Sequence, residues 1–146
     1  SDAVDEALCY GWIDSTRKSL GDDKFKQYFC KRKPNSVWSK VNKAKVERLI
    51  ELGLMTQAGL DSIETAKNND SWTILDGVEE LVIPYDLEYE FTIQPGSAKY
   101  FMSISKSARK AILQWLVLAK RPETRQNRIS EIAKLASQGL KPKQFR

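Results

Sequence analysis

The residues with the clearest potential for chemistry are three arginines at the junction of two predicted helices: Arg121, Arg125 and Arg128. Their +4 and +3 spacing places them on one helical face. Pro122 fits the first turn of that helix, because its missing N–H leaves nothing unpaired there. Cations near the positive end of a helix macrodipole are mildly disfavoured unless an anion joins them. These arginines therefore either pair with acidic residues of the fold or bind an anionic ligand.

A second basic cluster precedes Pro34 and is followed by Trp38. Positive charge beside an aromatic ring is typical of nucleic-acid sites, although a solvated strand end and a core tryptophan explain the same residues. The sequence leaves both interpretations open. The candidate anion- or nucleic-acid-binding residues are Arg17, Lys18, Lys31, Arg32, Lys33, Arg121, Arg125 and Arg128.

Trp12 and Asp14 share one face of a predicted strand, so a polar pocket beside an indole ring is one interpretation. The other is a core tryptophan with a surface ion pair. Trp12, Asp14 and Trp38 are the candidate pocket residues. A small-anion or metabolite site would bring Trp12 and Asp14 together with Arg17 and Arg121.

The sequence offers no constellation of catalytic residues. It contains no histidine and two cysteines, Cys9 and Cys30. Two thiols alone cannot complete a tetrahedral zinc site. Ser105 and Lys106 read as a helix cap with a surface lysine rather than a nucleophile with its base. We therefore predict a non-enzymatic protein with no catalytic residue, no metal and no cofactor, and with free thiols in the cytoplasm.

Length and composition indicate a globular protein. The chain has 146 residues, a formal net charge of +5, 41% hydrophobic residues and 29% charged residues. These values suit one domain with a core, and the longest apolar runs are too short for a membrane span. Five acidic residues and no basic one lie between Glu79 and Glu90. Basic and acidic surfaces therefore either pair within the fold or bind separate partners.

Hydrophobic periodicity predicts a helix from Asp2 to Tyr10 and a β-hairpin formed by Trp12–Leu20 and Lys24–Lys33. A two-stranded sheet is marginal in water. A third strand would come from a preceding segment, from a partner chain, or from Trp72–Leu75. A homodimer through the hairpin edge is one such arrangement.

The remaining chain is predicted to be mainly helical. The predicted helices are Lys40–Leu52 with Val41, Val46, Leu49 and Ile50 inward, a helix capped by Thr56 with Leu60 and Ile63 inward, a short helix from Pro84 to Ile93, Ala98–Ile104, a buried central helix Lys106–Lys120, and Glu123–Gln138. Asp76 to Pro84 is the least structured stretch.

The fold class is α+β, predominantly α, in a single domain. Residues 1–33 form a helix plus a small antiparallel hairpin packed against a bundle of helices, residues 39–138 are mainly helical, and residues 139–146 are a frayed basic tail.

Several stretches together carry a family resemblance: Glu6 to Ser15 (EALCYGWIDS), Lys31 to Pro34, Trp38 to Asn42, the Gly53–Leu60 turn, Lys106 to Ile112, and Ala119 to Arg125. In this combination, over nearly the whole chain, they resemble the YdeI/OmpD-associated family, also described as bacteriocin-protection proteins. In that family a segment with strand-forming character precedes the EALCYGWIDS stretch. The resemblance therefore implies a family member that lacks its first part.

The resemblance implies a bacterial role in tolerating bacteriocins or stress, without catalytic residues and without an established mechanism. It is our first functional hypothesis, in which the protein acts through protein partners or through regulation. The second hypothesis is a nucleic-acid-binding module with a basic surface. The third is a small-anion or metabolite-binding protein.

Overall fold

A computed structural model describes residues 2–146 of the chain. The chain forms two compact units, Ser1–Ile74 and Leu75–Arg146. The predicted fold class is confirmed, since eight α-helices and one two-stranded antiparallel sheet occur among the described residues. The single domain stays a prediction. Within residues 2–146, no helix is both long enough and apolar enough to cross a membrane.

The predicted hairpin is present in the first unit, as β1 (Trp12–Gly21) and β2 (Lys24–Lys31). Asp22 and Asp23 at its tip have φ of 49° and 59°, which is the left-handed pair of a type I′ turn. This turn matches the right-handed twist of the strands. Nearly all residues of both strands are exposed, so the hairpin buries little on either face.

Trp72–Leu75, one of the three sources that we considered for a third strand, forms turns and adds no strand to the sheet. The Trp72 N–H donates to the Ala66 carbonyl oxygen at 3.1 Å and closes the end of the preceding helix. The Trp72 ring then packs at 5.0 Å from the Trp38 ring, centroid to centroid. Aromatic packing thus fixes this segment as an anchored turn.

Three helices complete the first unit: α1 (Asp2–Cys9), α2 (Lys40–Glu51) and α3 (Gln57–Asn68). Ser39 caps α2, and Thr56 caps α3 as predicted; their side-chain oxygens accept hydrogen bonds from the backbone N–H groups of Asn42 and Gly59. The core of this unit comprises Leu8, Cys9, Trp38, Val46, Leu49, Ile63 and Ala66. The inward positions predicted for Val41, Ile50 and Leu60 are wrong, because these side chains are exposed.

The end of α1 is fastened to the start of α3. The Cys9 carbonyl oxygen accepts hydrogen bonds from the Thr56 backbone N–H at 3.0 Å and from the Thr56 hydroxyl at 2.6 Å. Gly59 lies directly against this carbonyl, so a Cβ there would overlap the Cys9 oxygen. Gly11 follows with φ of 79°, in a conformation that other residues rarely adopt.

Five helices form the second unit: α4 (Asp76–Glu79), α5 (Tyr85–Ile93), α6 (Ser97–Ser103), α7 (Lys106–Val117) and α8 (Pro122–Ser137). The short helix α4 lies in the stretch that we predicted to be least structured. The helix predicted at Glu123–Gln138 is present as α8, and it buries Ile129, Ile132, Ala133 and Ala136. The buried apolar side chains of this unit include Leu87, Phe91, Phe101, Ile112, Leu113, Leu116, Ile129, Ile132, Ala133 and Ala136.

The prediction of a frayed tail after Gly139 is wrong. Pro142 is fully buried, and Lys143–Phe145 forms one turn of 3-10 helix. The Phe145 ring meets the Trp115 ring edge-on, with centroids 5.6 Å apart. A proline and an aromatic residue therefore hold this basic segment against α7.

We expect Gly59→Ala to destabilise the first unit by about 1–3 kcal/mol, because its Cβ has no room beside the Cys9 carbonyl. Urea unfolding followed by tryptophan fluorescence measures this free energy. The matched control is Gly77→Ala in α4, where the nearest atom to a new Cβ is 3.9 Å away. Equal stability of the Gly59→Ala variant and the wild type would show that α1 and α3 are not in close contact.

Candidate anion-binding site

Arg32 lies just beyond the end of β2, and its backbone N–H donates to the Gly11 carbonyl oxygen at 3.0 Å. This bond joins the hairpin to the turn after α1. The Arg32 side chain is 8% exposed, which is rare for an arginine. Its guanidinium carbon lies 3.6 Å from the centroid of the Trp38 ring, and Nη1 donates to the Val37 carbonyl oxygen at 3.2 Å. The stack and the hydrogen bond fix the plane of the guanidinium.

The other two guanidinium nitrogens of Arg32, Nε and Nη2, are buried and have no hydrogen-bond partner. Trp38 Nε1, in the ring that the guanidinium covers, is buried and unpartnered as well. Buried donors are almost always paired, so three such donors within one stack call for an explanation.

The same chain shows what this edge of a guanidinium binds. In the second unit, Arg125 uses Nε and Nη2 to contact Asp86 Oδ2 at 2.6 Å and Oδ1 at 3.0 Å. This is the fork that a carboxylate or a phosphate accepts with two oxygens. Arg32 presents the identical pair of N–H groups without an acceptor. Among residues 2–146, no carboxylate lies within ion-pair distance of Arg32.

Burial also affects the charge of Arg32. Loss of water lowers the pKa of the Arg32 guanidinium to about 10, while the neighbouring Asp14 carboxylate acts in the opposite direction. The group therefore stays protonated at neutral pH. A charge held away from water is stable only with compensating contacts, and an anion would supply them.

Arg32 is one of the residues that line a cleft of about 600 Å³. One wall is a face of α3 with i, i+3, i+4, i+7 spacing, and the opposite wall is the basic stretch after β2. Tyr10 and Gly11 complete the lining. The lining residues are Tyr10, Gly11, Lys31, Arg32, Lys33, Pro34, Ala58, Asp61, Ser62 and Thr65. A cleft of this size accommodates a small metabolite.

Further cations lie on the far side of Trp38. Trp72 packs against Trp38, and the ammonium groups of Lys43 and Lys67 each lie 5.1 Å from the centroid of the Trp72 ring. Three cations thus lie near the rings of the Trp38–Trp72 pair, with Arg32 against Trp38 and the two lysines against Trp72. The stack makes this part of the first unit electrostatically favourable for an anion.

The other predicted residues of the hairpin lie apart from this cleft lining. Trp12 is 43% exposed and Asp14 is exposed, so neither forms a core contact. The Arg17 guanidinium covers the Phe25 ring at 3.5 Å. Lys18 stands directly opposite Lys26 in the register of the two strands.

The three arginines of the α8 junction have three different environments. Arg125 is paired with Asp86, as the structural interpretation predicted, and this contact lowers the pKa of Asp86. The Arg128 guanidinium lies 4.9 Å from the centroid of the Trp115 ring and donates to the Trp115 carbonyl oxygen. Arg121, the residue before α8, is exposed. Two of the three arginines are thus engaged within the second unit, whereas Arg32 belongs to the first unit.

Our reading of the sequence missed the α3 wall of the cleft and Tyr10. The signal was present, because Ala58, Asp61, Ser62 and Thr65 recur at helical spacing as small or polar residues. A helical face of small and polar residues normally indicates a solvent-exposed surface. Its role in the cleft becomes visible only when the structure places the basic residues Lys31, Arg32 and Lys33 in the same lining.

We expect Arg125→Ala to lower the free energy of unfolding by about 0.5–1 kcal/mol at neutral pH, a modest value because Asp86 is partly screened by solvent. The pKa of Asp86 is lowered in the folded state, so the contribution of the pair is lost as pH falls through that lowered pKa. The difference from wild type should therefore persist down to about pH 5 and shrink below about pH 4. Denaturant unfolding at several pH values measures it.

Arg121→Ala is the matched control, with an expected change within about 0.5 kcal/mol at every pH. A larger loss for Arg121→Ala than for Arg125→Ala would contradict this assignment of the arginines.

The comparisons with known proteins divide the chain. Residues 1–62 match a model described as a domain of unknown function (DUF8412). Residues 80–139, within the second unit, match the model described as bacteriocin-protection, YdeI or OmpD-associated. Comparison with curated proteins and with solved structures gives no match. The family resemblance is thus confirmed for residues 80–139, which match the YdeI/OmpD-associated, bacteriocin-protection family model, rather than for nearly the whole chain.

Proposed function

We propose that this protein is a non-enzymatic bacterial stress- or bacteriocin-tolerance protein that binds a small anionic ligand beside Arg32. The observation that carries the proposal is the unpaired Nε and Nη2 edge of a guanidinium that is 8% exposed. The match of residues 80–139 to the bacteriocin-protection family supports the biological role. The ligand chemistry that fits is a carboxylate or a phosphate.

The energetics favour an anion at this place. A buried, unsatisfied polar group destabilises a fold by about 1–3 kcal/mol, and a charged one by more. A bidentate anion would satisfy both nitrogens of Arg32 and neutralise its charge. Each nitrogen exposes less than 1 Å² of surface, so binding requires a small side-chain movement at the cleft. Lys31 and Lys33 line the same cleft and are exposed.

The hydroxyl and carboxyl groups of the cleft support binding rather than catalysis. Ser62 donates its hydroxyl proton to the Gly59 carbonyl oxygen at 2.7 Å, so that proton is already committed to the backbone. Asp61 accepts a hydrogen bond from the Gln57 side-chain amide at 2.8 Å. Neither group is arranged as a nucleophile with an adjacent base.

Titration with inorganic phosphate and with acetate, followed by calorimetry and thermal unfolding, tests the proposal. We expect saturable binding and a melting temperature that rises with ligand concentration, because only the folded state holds the site. Arg32→Lys keeps the positive charge but loses the planar fork, so affinity should fall roughly tenfold or more.

The matched control is Arg17→Lys, which alters an exposed guanidinium that also covers an aromatic ring. It should change affinity by less than about twofold. Ala58→Phe fills the cleft from an exposed position and should abolish binding without disturbing Arg32. Equal losses in Arg17→Lys and Arg32→Lys, or binding that survives Ala58→Phe, would overturn the proposal.

One observation favours nucleic acid as a second candidate ligand. Lys18 lies directly opposite Lys26, and like charges in this position destabilise a sheet, so a polyanion along the hairpin would relieve their repulsion. Exposed rings of Trp12 and Tyr28 would stack bases.

For this candidate, fluorescence anisotropy with labelled single-stranded DNA should show binding that weakens steeply with salt. Lys18→Ala with Lys26→Ala should weaken it roughly tenfold, while Arg32→Lys should leave it unchanged. No binding at low salt would retire the nucleic-acid candidate and leave the small-anion proposal intact.

A further inference from the structure

Helix α5 of the second unit carries apolar side chains on the side that faces solvent. Leu87 and Phe91 are buried and define its inward side. On the opposite side Tyr85 is 91% exposed, Tyr89 is 66% exposed and Ile93 is 51% exposed. The helix is therefore apolar both toward the core and away from it.

These three exposed side chains form one ridge. Their i, i+4, i+8 spacing aligns them along the helix over about 12 Å, at about 1.5 Å of rise per residue. Val82, which is 56% exposed, precedes the helix. Single exposed apolar residues are common, but an aligned group with large aromatic rings marks an interaction surface. Tyrosine in particular is enriched at protein interfaces.

The ridge is bordered by acidic residues on both sides. By helical geometry Glu88 falls beside the ridge on one flank, and Asp86 and Glu90 fall on the other. Asp86 is engaged by Arg125, so Glu88 and Glu90 are the carboxylates that a partner would meet. No basic residue occurs from Glu79 to Glu90.

We infer that α5 is a docking ridge for a protein segment with an apolar groove or face bordered by lysine and arginine. The apolar ridge supplies the buried contact, and the flanking carboxylates select a basic border over an acidic one. A second copy that docked through its own α5 would bring acidic borders against acidic borders. Charge complementarity therefore favours a basic partner over a symmetric homodimer at this surface.

The test uses two synthetic helical peptides with the same leucine face, one bordered by lysine and arginine and the other by glutamate. Fluorescence anisotropy at low and physiological salt measures their binding to the full chain. The net charge of +5 would by itself favour the acidic peptide. We expect the basic peptide to bind at least roughly tenfold more tightly. The acidic residues beside the ridge, rather than the net charge of the chain, should determine which peptide binds.

Tyr85→Ser combined with Tyr89→Ser should weaken binding of the basic peptide at least roughly tenfold. The matched control is Tyr10→Ser combined with Tyr28→Ser, since these tyrosines are 54% and 52% exposed in the first unit. It should change the affinity less than about twofold. Unchanged melting temperatures would confirm that both double variants fold.

Equal binding of the two peptides, equal losses in the two double variants, or no binding of the basic peptide would each overturn the inference. A dimer seen by light scattering that dissociates on Tyr85→Ser with Tyr89→Ser would also overturn it in favour of a second copy. The test is independent of Arg32, because Arg32→Lys should leave binding of the basic peptide unchanged.

Discussion

The guanidinium of Arg32 is a charge that the first unit holds almost entirely away from water. Such burial is unfavourable unless the group is well partnered, and among residues 2–146 its ring and hydrogen-bond contacts are the Trp38 ring and the Val37 carbonyl oxygen. The rest of the local structure fixes this placement. The Gly11 carbonyl oxygen binds the Arg32 backbone, and the α1–α3 contact at Cys9 and Gly59 positions Gly11. We propose that an anion completes this site, because the Nε and Nη2 edge of the buried Arg32 guanidinium is unpaired.

Much of the fold follows from local sequence signals. The hairpin tip is a pair of aspartates in left-handed conformation, and the helices begin at Ser39, Thr56 and Ser105, whose side chains cap neighbouring backbone groups. The errors arose where tertiary packing overrides periodicity. Val41 and Ile50 have apolar side chains at helical spacing, yet only Val46 and Leu49 of α2 are buried. The tail is ordered because Pro142 is buried and Phe145 packs against Trp115. A local sequence pattern cannot predict these tertiary contacts.

The candidate site was only partly predictable. The sequence placed Arg32 between two lysines and close to Trp38, which was enough to suggest an anion site. It could not show which of Lys31, Arg32 and Lys33 is buried. The alternation of inward and outward side chains along a strand does not continue into the loop that follows it. Nor could the sequence show that α3 lines the cleft. The position of α3 depends on the long-range hydrogen bonds from Thr56 to the Cys9 carbonyl oxygen. The α8 arginines were equally suggestive in sequence, and Asp86 and Trp115 account for two of them.

The measurement that tests the central claim most directly is a proton–nitrogen NMR titration of the arginine Nε–H and tryptophan Nε1–H signals with inorganic phosphate. The account predicts saturable shifts of the Arg32 Nε–H and Trp38 Nε1–H signals with one shared affinity. The Arg125 Nε–H signal should stay in place, because Asp86 already occupies that fork. Shifts confined to exposed groups such as Arg17, with Arg32 and Trp38 unmoved at saturating phosphate, would contradict the account.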